Sequence, residues 1–161
     1  MFDWFTTESD DAISQLKQDH DKVKDLFEKF ENAEGGAAKK SIAKKALAEL
    51  KIHAALEEEL FYPTVRKYIE SDIMNEADEQ HHVAKVLIAE LEEMDGKGDH
   101  FEAKFTVLAE NVRHHIKEEE SEMLPEARRL GIDYDELGRQ MLRRREELES
   151  AKRRAKKHKA A

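Results

Sequence analysis

The sequence of 161 residues has no cysteine, two prolines, six glycines and one tryptophan. The missing thiols exclude disulfides, iron–sulfur ligation and thiolate-bound haem. So few helix breakers, in a chain that is 40% charged, favour helices throughout. No apolar run approaches the ~20 residues of a membrane-spanning helix, so no membrane partner is expected. The opening residues, Met1-Phe-Asp-Trp-Phe-Thr-Thr-Glu8, carry neither a basic region nor a long apolar core. No secretory signal is expected there, and the default location is cytoplasmic. A chain of this length is expected to form one domain with a sizeable core.

Charge is unevenly spread. Residues 139–161 hold ten Lys/Arg against three Glu, a balance of +7, so the other 138 residues carry −16 of the net −9. The acidic body argues against nucleic-acid binding, which only the basic tail leaves open.

What is present is a repeat. His53-Ala-Ala-Leu-Glu57-Glu-Glu-Leu-Phe-Tyr-Pro63 and His115-Ile-Lys-Glu-Glu119-Glu-Ser-Glu-Met-Leu-Pro125 share one frame. In each, a histidine is followed four residues on by glutamate and ten residues on by proline. On a helix, positions i and i+4 lie on one face, so the two side chains can grip one object. A second pair matches in the same way. His20 is followed by Val23, Leu26, Phe27 and Phe30, and His81 by Ala84, Leu87, Ile88 and Leu91, at identical offsets. His20 and His81 are 61 residues apart, and His53 and His115 are 62 apart. The chain therefore reads as two related helical hairpins.

Apolar periodicity predicts helices over about 10–32, 38–61, 73–95 and 100–122. Joined by short turns at Gly35-Gly36 and Gly96-Lys-Gly98, they suit an all-α, antiparallel (up-down-up-down) four-helix bundle. Thr7 or Ser9 is the expected cap of the first helix, and Ser71 or Asp72 that of the third. Pro63 marks a short continuation or a kink. An amphipathic helix is expected from Asp133, running into the basic tail. The expected organisation is a lead-in over 1–9, a bundle over 10–130, and a C-terminal helix with basic tail over 131–161.

Six polar groups lie on the apolar stripes: His20, His53, Glu57, His81, His115 and Glu119. Any one alone reads as a satisfied core residue or a surface pair. Together they are costly, because each unpartnered buried polar group costs ~2–7 kcal/mol and a bare carboxylate far more. Shared cations remove that cost. Imidazole with carboxylate suits iron, with manganese or zinc as substitutes. Six ligands exceed one tetrahedral zinc, and neither His-Glu-x-x-His nor a calcium loop is present. Twofold repetition suits a pair of metals, each with two histidines, bridged by Glu57 and Glu119. His100 and His158 are expected to face solvent. Glu118, Glu120 and Glu122 are expected on a solvated face. Tyr62, Phe61 and Tyr68 suit either a pocket mouth or core packing.

At these residues the sequence resembles the hemerythrin-like (HHE cation-binding) family. The matching pieces are Lys17-Gln-Asp-His20-Asp-Lys-Val23, His53 through Pro63, Glu79-Gln-His81-His82-Val83, and Arg113-His114-His115 through Pro125. The resemblance spans about residues 10–130. It implies a four-helix bundle holding a non-haem, oxo- or hydroxo-bridged di-iron centre that meets O2 or related oxidants. Members are oxygen carriers, oxygen or iron sensors, or stress proteins.

One position departs from the pattern. Oxygen-carrying members use five histidines, two of them four residues apart on the third helix. Here Ala77 stands four residues before His81 and Asp78 four before His82. His82, Glu79 and Asp78 are the candidates for completing the shell. The expected function is a di-iron protein that binds and reacts with O2, NO or peroxide, in the manner of a peroxidase, catalase or ferroxidase. The alternative is a non-catalytic O2-binding or O2/iron-sensing module. The sequence leaves the oligomeric state open.

Overall fold

Asp11 starts the first helix. Its carboxylate accepts the Ser14 N–H at 2.9 Å, satisfying one of the orphan donors of the first turn of α1 (Ala12–Asn32). The computed structural model describes residues 11–160, and all the regular structure in that span is helical. The 1–9 lead-in and its capping candidates Thr7 and Ser9 lie outside the described residues. Gly35, at φ 93°, makes the left-handed turn into α2 (Gly36–Leu56). Five residues, Glu57–Phe61, then form a wider π turn before α3 (Tyr62–Val65).

The second half repeats this plan. Helix α4 (Ser71–Met94) ends on Asp95 in the left-handed region at φ 50°, followed by Gly96 at φ 74°. Neither Ser71 nor Asp72 caps it. The Met74 N–H already reaches the Glu70 carbonyl at 3.3 Å, which draws the helix start back to include both. Helix α5 (Phe101–Glu118) passes through a second π turn, Glu119–Met123, into α6 (Leu124–Arg129). Asp133 accepts the Glu136 N–H at 3.0 Å and opens α7 (Tyr134–Ala160).

Helix α1 pairs with α2, and α4 with α5. The buried apolar residues fall into two clusters, one at each end of the bundle. Ile13, Leu16, Leu56, Phe61, Met74 and Met123 belong to the first. Phe27, Phe30, Leu47, Leu91, Phe105 and Leu108 belong to the second. Along α1 and α4 the chain goes from the first cluster to the second, and along α2 and α5 it returns. That is the up-down-up-down order. His20, His53, Glu57, His81, His115 and Glu119 lie in the layer between the clusters, each 8% exposed or less. Helix α7 packs on α1, α2 and the first π turn, adding Tyr134, Leu137 and Met141 to the first cluster.

Candidate metal centre

Pro63 and Pro125 shape the site from outside it. Proline has no N–H, and within a regular helix its ring clashes with the carbonyl four residues back. The turn before each proline is widened. The Tyr62 N–H bonds to the Glu57 carbonyl five residues back, as the Leu124 N–H does to that of Glu119. One extra residue rotates the downstream side chains by about 100° relative to a regular helix. The periodic stripe places Phe61 next after His53 and Glu57. The π turn brings Tyr62 onto that face instead. Tyr62 is 1% exposed, and its hydroxyl lies in the polar layer rather than at a pocket mouth. Phe61 turns toward Tyr134, with ring centroids 6.4 Å apart. Tyr68 stays in solvent.

The four imidazoles form two pairs of similar geometry. The rings of His20 and His53 are 5.0 Å apart at 69°, and those of His81 and His115 are 4.9 Å apart at 75°. Each buried carboxylate stands between one histidine of each pair. Glu57 Oε2 is 3.2 Å from His53 Nε2, and its Oε1 is 3.0 Å from His81 Nε2. Glu119 Oε1 is 3.2 Å from His20 Nε2, and its Oε2 is 3.2 Å from His115 Nε2. The Tyr62 hydroxyl lies within the His81/His115 half. It is 2.5 Å from Glu119 Oε2, 3.3 Å from Glu57 Oε1, and 3.2 and 3.3 Å from the two Nε2 atoms.

The outer nitrogen of every histidine is also held. His53 Nδ1 meets Asp19 at 2.9 Å and His115 Nδ1 meets Gln80 at 2.5 Å, each the residue before the other histidine of the same hairpin. His20 Nδ1 meets Glu120 at 2.6 Å and His81 Nδ1 meets Glu58 at 2.7 Å, each the residue after a buried glutamate of the opposite hairpin. Glu120 therefore leaves the solvated face assigned from its spacing, because the opposite hairpin packs His20 against it. Glu118 turns inward as well, accepting from Gln80 Nε2 at 2.6 Å. Asp19 in turn accepts Arg145 Nη2 from α7 at 2.7 Å. These outer partners fix each ring's tilt and aim its Nε2 at the centre.

Four of the inner atoms have no hydrogen-bond partner: His20 Nε2, His53 Nε2, Glu57 Oε2 and Glu119 Oε1. They are close enough for ion pairs but are not aligned on one another. One atom from each of the four residues can meet a common ion, as can one each from Glu57, His81 and His115. The donor set, imidazole nitrogen and carboxylate oxygen in a dry core, fits a divalent transition metal. These four atoms are the orphans such an ion would satisfy.

Protons compete for the same positions. Burial lowers the proton affinity of His53, yet Glu57 and Asp19 hold it well above the usual histidine range. Burial has the same effect on His115, but Glu119 and Glu57 push it up to about 10. His20 and His81 are also raised against burial, by Glu119 with Glu120 and by Glu57 with Glu58. Burial would raise the Glu57 carboxyl, but the His53 charge and neighbouring hydrogen bonds hold it well below the carboxylate range. Burial and the two carboxylates push the Tyr62 phenol far up. A cation entering this layer would replace protons.

A cavity of about 40 Å³ lies beside the imidazoles, lined by Val23, Leu50, Ile88 and Val112 together with the polar Gln80, Lys85 and Asn111. The three candidates for a further ligand are turned away from it. His82 and Glu79 are exposed, and Asp78 is exposed and paired with Arg66 at 2.8 Å. His100 and His158 are exposed, and His114 pairs with Glu118 at 2.8 Å on the flank.

Residues 11–127 match the Hemerythrin HHE cation binding domain. The chain belongs to that family. An HHE domain protein from Mycobacterium kansasii has the same fold, with a TM-score of 0.74, 23% identity and 88% of each chain covered. A protein named DNA nickase from Nostoc sp. strain PCC 7120 is 30% identical over 107 residues, which are 66% of this chain and 30% of that protein. The HHE chain thus spans about a third of that relative's length. None of the helices described is long and apolar enough to cross a membrane.

Proposed function

We propose that this HHE domain holds two iron ions, one at His20 and His53 and one at His81 and His115, with Glu57 and Glu119 shared between them. The observation that carries this reading is the division of each carboxylate, one oxygen toward each histidine pair. Tyr62 supplies the second pair with a phenolic oxygen where Ala77 offers no ligand. Two bound irons would supply electrons to O2, NO or peroxide. The protein's own residues set which molecule meets them. The cavity of about 40 Å³ beside the imidazoles has room for a few water-sized molecules, which suits diatomics and peroxide.

Reaction with these oxidants is favoured over storage of O2. Two histidines and two shared carboxylates leave two positions on an octahedral metal; Tyr62 takes one of them at the His81/His115 ion, and two stay open at the His20/His53 ion. The named activity of the Nostoc protein suggests a second reading, cleavage of a DNA backbone by the cation pair. The 0–8% exposure of the six residues argues against a phosphodiester reaching them.

The test is metal analysis of the purified protein, then exposure of its reduced form to O2 followed by lowering of the O2 pressure. Two irons per chain, conversion to a stable oxidised spectrum, and consumption of added peroxide are expected. Full, repeated return to the reduced spectrum would replace reaction with carriage. Absence of bound metal would remove the reading altogether.

A further inference from the structure

Helix α7 carries two adjacent arginines that reach the bundle differently. Arg144 pairs with Glu59 in the first π turn, Nε to Oε1 at 2.8 Å. Arg145 donates to Asp19 Oδ2 at 2.7 Å, and that same oxygen faces His53 Nδ1 at 2.9 Å. Asp19 is buried and Arg145 largely so. The other hairpin places Gln80 in the role of Asp19, and its outer anchor, Glu118, comes from α5 inside the bundle. The His20/His53 half draws its anchor from the added helix, 126 residues away in sequence.

We infer that Arg145 is a positioning residue for the metal centre: through Asp19 it fixes the ring of His53, so α7 sets the cation affinity of the His20/His53 half. The inference rests on the cation-binding reading above. A carboxylate between two N–H donors has little freedom to turn, and the imidazole bonded to it keeps Nε2 aimed at Glu57 Oε2, 3.2 Å away. Outer partners of this kind typically contribute 10–100-fold in metal affinity. Arg145 stands one step further out than Asp19, so the low end, about 10-fold, is expected.

Charge and positioning predict opposite signs. Removing a cation near a cation site would by Coulomb's law tighten metal binding, whereas releasing Asp19 would weaken it. The test titrates the full chain with Co2+ against a competing chelator, reading stoichiometry, affinity and the visible spectrum of bound cobalt. Helix content by circular dichroism is checked alongside. Wild type and Arg144→Met should bind two cobalt ions per chain alike. Arg145→Met should lose about 10-fold at one of them, with an altered cobalt spectrum and unchanged helix content. Arg145→Lys keeps the charge but not the planar fork and should also lose affinity. Asp19→Asn should match Arg145→Met or exceed it, and Arg145→Met added to it should cost nothing further. Equal or tighter binding by Arg145→Met overturns the inference, as does an equal loss in Arg144→Met or multiplying losses in the double variant. A wild type that binds no cobalt removes the cation reading, and this inference with it.

Discussion

Tyr62 meets Glu57 twice: its backbone N–H donates to the Glu57 carbonyl, and its hydroxyl lies 3.3 Å from the Glu57 carboxylate. The π turn that makes the first contact possible is also what aims the second. Tyr62→Phe keeps the ring and removes the oxygen. In the metal-free protein it leaves Glu119 Oε2 without its 2.5 Å donor, an expected cost of about 1–3 kcal/mol. Thermal melts of metal-free wild type and variant should differ in that direction. In the iron-loaded protein, a visible phenolate-to-iron band present in wild type should be absent from Tyr62→Phe.

Glu119 serves both histidine pairs, so its loss should affect both halves. Glu119→Ala is expected to hold well under two metals per chain by elemental analysis, while His158→Ala, exposed on α7, stays at the wild-type value. Full loading of Glu119→Ala would sink the bridging role.

Protons and metal compete for the same nitrogens. The His115 imidazole is pushed up to about 10, and a raised histidine contributes stability that is present below its ordinary pKa and lost as pH rises through the raised one. Metal-free protein should therefore lose thermal stability as pH climbs from about 6.5 toward 10. Metal binding has the opposite trend: apparent affinity should rise over that interval, with protons released on uptake. Calorimetry in buffers of different ionisation enthalpy would count them. No proton release at neutral pH would contradict the raised histidines.

The apolar cluster beyond the polar layer can be weakened without touching the site. Leu108 is fully buried there among Phe27, Phe105 and their neighbours. Leu108→Ala should cost about 2–5 kcal/mol in chemical denaturation. Metal content of the folded fraction should be unchanged.

The apolar stripes were legible in the sequence because a helix carries its own ruler. Offsets of three, four and seven around His20, His53, His81 and His115 placed them inward, and burial of all four agrees. The i, i+4 spacing of His53 with Glu57 and of His115 with Glu119 is local geometry, so no fold was needed to see that each pair shares a face. The prolines at equal offsets signalled a break in that ruler. They did not say whether the chain would kink or widen.

Tertiary structure decided the rest. Tyr62 reaches His81 and His115 because one residue is inserted per π turn, and a stripe counted at 3.6 residues points to Phe61 instead. Glu58 and Glu120 look like parts of solvated acid runs until the opposite hairpin brings His81 and His20 against them. Arg145 sits in a basic tail whose composition describes only solvent exposure, yet packing of α7 on α1 delivers it to Asp19. A helix's own periodicity determines which way its residues face. Which residues meet across helices depends on packing between segments far apart in sequence, and local spacing does not contain it.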